Sequence, residues 1–212
     1  MLRKIFHFLL RQFRMLSFYS LSKSGYLVDK GWFRSFRSKN AIDQNGQPIP
    51  WMTYSFLDFL QPRIRDNMTI FEFGCGNSTL WWQSQVKSVY SCESDQEWYD
   101  HIKTKIGQHV QLMYRPTENS AFAESITECT RLFDIIVIDG ADRVSCAKNA
   151  LKNISTTGVV IWDNSDRSEY QQGYDLLTDH GFKRIDFHGL GPINVMSWST
   201  SVFYRSNNCL SI

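Results

Sequence analysis

The segment Phe71–Thr79 (FEFGCGNST) has the residue types and spacing of a ligand-binding turn. Gly74 and Gly76 lie where a predicted strand turns into a predicted helix, and glycine allows the backbone to approach a ligand closely. The free N–H groups at the start of that helix point into the same crevice. The third glycine of the dinucleotide-binding pattern is absent, because Thr79 and Leu80 occupy that region. The segment predicts a ligand-binding turn, and a purely steric role for its glycines stays open.

An acidic residue, Glu93, ends the next predicted strand, twenty-one residues after Glu72. A carboxylate in that place accepts hydrogen bonds from both hydroxyl groups of a ribose. The alternative is that Glu93 only starts the following helix, where Asp95 and Glu97 also favour the helix dipole. Taken together with the glycine turn, the spacing favours the ribose-binding role.

A parallel sheet is needed to position these residues, and the hydrophobic pattern after Met68 predicts one. Short β-branched runs alternate with longer amphipathic runs, which is typical of successive strand–helix–strand units. The last connection is too short for a crossover helix, so the final strand pair is predicted to be antiparallel. The predicted strands are Thr69–Phe73, Ser88–Cys92, Val110–Tyr114, Phe133–Ile138, Val159–Trp162, Lys183–Phe187 and Ser201–Arg205. The predicted helices are Thr79–Gln85, Gln96–Ile106, Ala121–Arg131, Val144–Asn153 and Glu169–His180, the last one capped at Gly181.

The ordered set of motifs resembles that of class I S-adenosylmethionine (SAM)-dependent methyltransferases. The segments that carry the resemblance are Glu72–Gly76, Glu93, Phe133–Gly140 and Gly158–Asn164, and it extends over roughly residues 68–205. It implies a Rossmann-like α/β fold with a seven-stranded, mostly parallel sheet in the order 3-2-1-4-5-7-6 and helices on both faces. It also implies SAM as cofactor, with its methionine end near the glycine turn and its ribose on Glu93. The cofactor-binding residues implied in this way are Glu72, Gly74, Gly76, Ser78, Thr79 and Glu93.

Oxygen-bearing side chains follow the fourth and fifth predicted strands. Asp139 ends the fourth strand, and Asp163 and Asn164 end the fifth. Carboxyl ends of parallel strands line one crevice, and such oxygen ligands suit Mg²⁺ or another divalent cation. The trio is similar to the metal ligands of catechol and caffeoyl-CoA O-methyltransferases, where the metal lowers the pKa of a substrate hydroxyl. The alternative is an Asx-type turn after a strand.

The sequence leaves the general base unassigned. The metal-dependent families place a lysine shortly after the strand-four aspartate, whereas Asp142 and Arg143 stand near that place here. Asp142 is a candidate base, and Arg143 is a candidate binder of an anionic substrate. Together with Asp139 they form the predicted catalytic set, and His101 and His188 are further candidate bases.

Composition sets the broad class of the protein. A chain of 212 residues with 42% hydrophobic and 21% charged residues is long enough for one buried α/β domain. A net charge of +2 gives no basic field for a nucleic acid partner, and we expect none. The five cysteines are scattered, which predicts reduced thiols and a cytoplasmic location.

The N-terminal region is predicted to be separate from the methyltransferase domain. Residues 2–18 have apolar residues at helical spacing together with Arg and Lys, and no acidic residue precedes Asp29. Such a helix suits peripheral contact with the inner face of an anionic membrane, or packing on the domain or on a second subunit in a homodimer. We therefore divide the chain into residues 1–50, a helix and a wrapping segment, and residues 51–212, the domain.

The function that the sequence favours is methyl transfer from SAM to an oxygen of a small molecule or saccharide. The segment Pro48–Tyr54 is a candidate wall of the acceptor pocket, although Trp51 and Tyr54 also suit a helix anchor. The alternatives are an NAD-type Rossmann oxidoreductase and a non-catalytic peripheral membrane or scaffold protein with the same fold.

Overall fold

The computed structural model describes residues 2–12 and 15–212 and contains a single seven-stranded sheet in that part of the chain. The strand order is β3-β2-β1-β4-β5-β7-β6, and only the pairings of β7 are antiparallel. The strands are β1 (Thr69–Phe73), β2 (Ser88–Glu93), β3 (Val110–Tyr114), β4 (Phe133–Ile138), β5 (Ile154–Asp163), β6 (Lys183–Gly189) and β7 (Trp198–Tyr204). The predicted Rossmann-like fold and strand order are confirmed.

Helices cover both faces of this sheet. The helices are α1 (Leu2–Gln12), α2 (Leu16–Leu21), α3 (Tyr26–Asp29), α4 (Trp32–Ser38), α5 (Tyr54–Leu60), α6 (Asn77–Gln85), α7 (Gln96–Lys103), α8 (Ala121–Glu124), α9 (Arg143–Asn153) and α10 (Gln171–Asp179). The predicted helix Ala121–Arg131 is wrong as a single element. It is a short α8 between two 3₁₀ turns, because Asn119 and Ser120 adopt left-handed backbone angles just before it. No described helix is long and apolar enough to cross a membrane.

Period-two alternation along the central strands builds two apolar cores. On β4, Ile136 and Ile138 face one layer while Ile135 and Val137 face the other. The first layer contains residues of α8, α9 and α10, and the second contains residues of α5 and α6. Because both faces of β4 are buried, its carboxyl end is held firmly at the edge where the predicted site lies.

The first fifty residues form short helices that lie against the edge of the domain. The predicted helix over residues 2–18 corresponds to α1 and α2, and residues 13 and 14 between them lie outside the described residues. Hydrogen bonds attach the wrapping segment to the domain, two of them close to the cavity. Trp32 Nε1 donates to the Asn194 carbonyl at 2.8 Å, and Asn77 Nδ2 donates to the Ala41 carbonyl at 2.8 Å.

Candidate functional site

A cavity of about 480 Å³ opens at the carboxyl ends of the central strands. This volume lies in the range of small-molecule and cofactor pockets. The sheet order places its lining groups in a row. The row begins at the glycine turn after β1, continues with Asp139 directly after β4, and ends with Asp163 on β5 and Trp198 on β7. Neighbouring strands are about 4.8 Å apart, so the row is about 14 Å long.

The glycine turn has the backbone geometry that its sequence predicts. Gly74 has a φ of +95°, and its N–H donates to the Cys92 carbonyl at 2.8 Å, which ties the turn to β2. A Cβ atom on Gly74 would lie 3.0 Å from Gly140 Cα, so the two strand ends approach closely here. Gly76 lines the cavity, and the Thr79 hydroxyl accepts a hydrogen bond from its N–H at 3.0 Å.

Glu72 lies beneath this turn with its carboxylate fully buried. Its Oε2 accepts hydrogen bonds from the hydroxyls of Thr79 at 2.5 Å and Ser91 at 3.2 Å. Its Oε1 has no partner among the described residues. Burial raises the pKa of Glu72 to about 7, and the three hydroxyls of Ser78, Thr79 and Ser91 oppose part of that rise. A half-satisfied buried acid therefore lies next to the predicted ligand-binding turn.

Glu93 holds the shape of the turn through the backbone. Its Oε2 accepts from the N–H of Cys75 at 2.9 Å, and its Oε1 accepts from the N–H groups of Ser94 at 2.7 Å and Asp95 at 2.9 Å. The carboxylate is buried and is not among the lining groups of the cavity, so its predicted ribose contact stays a prediction. Trp98 lies on the cavity side instead, where its Nε1 donates to the Cys75 carbonyl at 2.7 Å.

Arg143 connects the ends of β4 and β5. It is buried at the start of α9, and its guanidinium donates to the carbonyls of Gly140 at 3.0 Å, Asp139 at 3.2 Å and Asp163. It also donates to Asp139 Oδ1 at 3.2 Å. The guanidinium N–H groups thus satisfy carbonyl oxygens at the ends of the two strands. Arg143 therefore holds the two strand ends together, and it also lines the cavity.

Asp163 is buried at the floor of the cavity and receives donors from β7. Its Oδ1 accepts from Trp198 Nε1 at 3.0 Å and from the Thr200 hydroxyl at 2.5 Å. Burial, and then the neighbouring charge of Asp139, raises the pKa of Asp163. Burial likewise raises the pKa of Asp139, which the Arg143 guanidinium opposes.

The residues predicted to hold a metal do not fit a divalent cation in this arrangement. A guanidinium already contacts Asp139, and two donors from β7 already occupy Asp163 Oδ1. Asn164 lines the cavity and has a φ of +52°, a left-handed conformation that asparagine tolerates in turns. In the part of the chain that the structure describes, no three His, Cys, Asp or Glu side chains gather to hold a metal ion.

Three of the candidate bases lie apart from the cavity lining. Asp142 is exposed at the N-cap position of α9, where it has a φ of +41° and its side chain makes no capping hydrogen bond. His101 lies on α7, where its ring stacks on Trp98 with centroids 5.2 Å apart. His188 is on β6, and its Nδ1 lies 3.1 Å from the Ser199 hydroxyl. Asp139 is the candidate that reaches the cavity, with 25% of its side chain exposed.

Similarity to known proteins is found in structure and not in sequence: no family model and no curated protein matches the chain. A protein described as an O-methyltransferase from Klebsiella pneumoniae aligns with 88% of this chain and 93% of its own length, at 18% identity and a TM-score of 0.58. A methyltransferase-like structure from Streptococcus mutans, in complex with SAH, aligns with 69% of this chain and 94% of its own length, at 15% identity and a TM-score of 0.52. Precorrin-6Y C5,15-methyltransferase from Geobacter metallireducens aligns over 72% and 87%, at 11% identity and a TM-score of 0.54. The chain has the fold of class I methyltransferases.

Within this methyltransferase fold, sequence reasoning missed the groups that form the roof and far end of the cavity. Lys39 and Asn40 come from the wrapping segment, Arg167 follows β5, and Asn194 and Trp198 come from the end of the chain. In the sequence these residues share only a position in turns or at strand ends. Many other surface residues have such positions, so the pattern does not single them out. Trp51 lines the cavity and Tyr54 is buried in α5, so Tyr54 anchors that helix, and a role of Trp51 in an acceptor pocket stays a prediction.

Proposed function

We propose that this protein is a SAM-dependent methyltransferase that methylates an oxygen of a small molecule or saccharide. The observation that carries the proposal is the buried Glu72 carboxylate, with one unpartnered oxygen, beneath a glycine turn that lines the cavity. A buried acid lacking a partner favours a ligand that brings a donor or a positive charge. SAM has both, in its ammonium group and its sulfonium.

The residues at the β1 end of the cavity fit such a cofactor. Gly76 lines the cavity, and a Cβ added there would first meet Trp98, at 3.7 Å, so the space above its backbone is open. When bound, SAM supplies an electrophilic methyl group, which an acceptor oxygen attacks as the acceptor loses its proton. We assign cofactor binding to the glycine turn with Glu72, Ser78 and Thr79, and ribose orientation to Glu93.

Asp139 is the group that we assign to take the acceptor proton. It lies between the glycine turn and the β5–β7 end of the cavity, and its carboxylate is partly exposed there. Arg143 positions Asp139 through their 3.2 Å contact. Holding acceptor and cofactor in line contributes most of the acceleration in such a reaction, and proton removal contributes the rest.

The other lining groups suit a polar ring as acceptor. Trp51 and Trp198 give flat apolar walls, and four asparagine side chains supply amide donors and acceptors. Aromatic faces combined with a few polar groups are typical of small-molecule sites. The four asparagines are Asn40, Asn77, Asn164 and Asn194.

Calorimetric titration of SAM into EDTA-treated protein tests the cofactor. We expect binding at micromolar concentration, about −8 kcal/mol, with competition by S-adenosylhomocysteine and no dependence on added Mg²⁺. NAD⁺ titrated in parallel tests the oxidoreductase alternative. No heat with SAM from folded protein would overturn the cofactor assignment and favour the scaffold alternative. A tenfold gain in affinity or in methyl transfer with Mg²⁺ would restore the metal hypothesis.

Two glycine substitutions make this test specific to the turn. Gly76 has an extended φ of 169°, so Gly76→Ala adds a methyl group at the cavity without backbone strain. We expect it to weaken SAM binding at least tenfold while thermal unfolding stays unchanged. Gly189→Ala is the matched control, because its added Cβ meets only Ser55 at an ordinary 3.5 Å, away from the cavity. Equal SAM affinity in both variants would place the cofactor elsewhere.

We further propose that α1 and α2 attach the protein to the inner, cytoplasmic face of an anionic membrane. Large apolar side chains are exposed here, among them Phe8 at 59% and Phe18 at 60%, and Lys4 and Arg11 accompany them. Basic charge next to exposed aromatic residues matches an anionic headgroup region.

Vesicle flotation of the full-length chain tests the membrane contact. We expect binding to vesicles with anionic lipid and little binding to neutral vesicles, and we expect Phe8→Ser with Phe18→Ser to abolish it. Phe36→Ser, at an exposed residue of α4, is the control. Loss of a dimer in the double variant, with no flotation of the parent chain, would assign the surface to a homodimer instead.

A further inference from the structure

We infer that the acceptor carries an acidic group, a carboxylate or a phosphate, beside its ring, and that Arg167 binds this group. The inference rests on the proposed function, because it takes the ligand to be the methyl acceptor. Its evidence is the charge and the shape of the cavity.

The strand order separates the two ends of the cavity. The glycine turn lies after β1, whereas Asn164 and Arg167 follow β5 and Trp198 begins β7, two and three strands away. Gly191, in the loop before β7, lies close to the Met52 carbonyl, which brings the adjacent Trp51 to the same end. The β5–β7 end therefore presents the Trp51 ring, part of the buried Trp198, amide groups and the Arg167 guanidinium, in addition to Arg143 and Asp163.

Five charged side chains line the cavity, and pairing removes three of them from ligand recognition. Arg143 and Asp139 contact each other at 3.2 Å. Asp163 is buried under two donors from β7, and burial raises its pKa, which reduces its negative charge near neutral pH. The two charges that remain, Lys39 and Arg167, are both positive.

Arg167 is available to a ligand. Half of its side chain is exposed, and its nearest acid is Glu169, with Nη1 3.9 Å from Oε1, which is a weak exposed contact. Its Nη1 also lies 3.5 Å from the Tyr170 hydroxyl. A planar guanidinium in this state matches the paired oxygens of a carboxylate or phosphate, with Lys39 adding a second positive charge at the rim.

A neutral acceptor would leave the positive charges of Lys39 and Arg167 without a binding partner. Two cations among the lining groups of a cavity, where the nearest acid to Arg167 is the weak exposed contact of Glu169, attract anions and repel cations. Trp51, with 47% of its surface exposed, supplies a face for the ring that bears the acid. An acidic monosaccharide unit or a phosphorylated or carboxylated phenol has this chemistry.

Matched ligand pairs test the inference without any methyl transfer. Phenyl β-D-glucuronide is compared with phenyl β-D-glucoside, and phenyl phosphate with phenol, each titrated calorimetrically into the full-length protein at low salt. We expect the acidic member of at least one pair to bind about tenfold tighter or more, as one charge-assisted hydrogen bond supplies. The pair with the larger ratio identifies carboxylate or phosphate as the recognised group.

Arg167→Gln tests the assigned residue. We expect the ratio within the pair to fall to about twofold, with thermal unfolding unchanged because the side chain is exposed. Lys148→Gln, on the exposed side of α9 and outside the cavity lining, is the control and should keep the full ratio. An unchanged ratio in Arg167→Gln overturns the role of Arg167.

The two proposals fail in different ways. If SAM binds but neither ligand pair shows a preference for its acidic member, the acidic-acceptor inference is overturned and the methyltransferase proposal stands. The same holds if SAM binds and none of the four ligands binds detectably up to millimolar concentration. If the acidic ligands bind through Arg167 but SAM does not bind, the anion site stands and the methyltransferase proposal is overturned.

Discussion

Arg143 is expected to be the most sensitive single side chain in the site, and Arg143→Met tests its role. Its guanidinium makes four hydrogen bonds, three to backbone carbonyls and one to the Asp139 carboxylate. Methionine has a similar volume but no donors, so the substitution leaves the carbonyls and two neighbouring carboxylates without their cation. Breaking a buried ion pair costs about 3–5 kcal/mol. We expect a loss of about 4 kcal/mol in the free energy of unfolding, because part of Asp139 remains exposed.

The pH dependence of this loss separates electrostatics from packing. Burial already raises the pKa of Asp139 and Asp163, and Arg143 opposes that rise for both residues. Without Arg143 their pKa values rise further. A carboxyl group with a raised native pKa costs stability when the pH exceeds its unfolded pKa of about 4. The deficit of Arg143→Met should therefore be larger at pH 8 than at pH 5, where more of these groups are protonated.

Urea unfolding at 25 °C, followed by tryptophan fluorescence at pH 5 and pH 8, measures both effects. Lys148→Met removes an exposed cation from the same helix and should change stability by less than about 0.5 kcal/mol. Arg143→Lys keeps the charge but loses the planar fork, so it should lie between wild type and Arg143→Met. A loss below about 1 kcal/mol, or one that does not vary with pH, would refute the view that Arg143 holds the strand ends.

Three further substitutions test the surrounding geometry. Glu72→Gln should flatten the pH dependence of stability. The free energy of unfolding of the wild type should fall by about 3 kcal/mol as the pH rises from the usual Glu pKa near 4.5 to the raised value of about 7. Equal slopes in both proteins would contradict the burial argument. Gly74→Ala forces a side chain onto a φ of +95° next to Gly140, and urea unfolding should show a loss of about 1–3 kcal/mol, whereas an unchanged midpoint would mean that the turn relaxes. Thr200→Val removes a donor to the buried Asp163, and thermal unfolding should show a loss of about 2 kcal/mol, in contrast to less than about 0.5 kcal/mol if water replaces the hydroxyl.

The sheet could be predicted from the sequence because its signal is local. Alternating apolar residues, as in Phe133–Ile138, and glycines between runs give strand positions to within a few residues. The ends differed where pairing extends a strand beyond its apolar run. β5 begins at Ile154 and not at Val159, because Ile154 pairs with Phe133 across an irregularity in the register of β4 and β5. Ser155 and Thr156, which are polar, lie within β5 in this irregular stretch.

The roof of the site could not be predicted, because its contacts join distant parts of the chain. Trp32 meets Asn194 across 162 residues, and Asn77 meets Ala41 across 36. No local pattern specifies such a pair, and loop residues carry no periodic signal. The role of Arg143 was missed for a related reason. Its spacing from Asp139 suggested substrate binding, whereas its acceptors are backbone carbonyls, which every residue possesses.

The position of β7 has a consequence for how the protein is made. This strand is the last of the seven to be synthesised, yet it inserts between β5 and β6 and supplies both donors to Asp163. A nascent chain that ends before Trp198 has an open edge on β5 and a buried acid with no partner. Such an edge is a template for pairing with other chains. Premature termination before Trp198 should therefore yield aggregates and not a merely destabilised protein, since β7 completes both the sheet and the cavity floor.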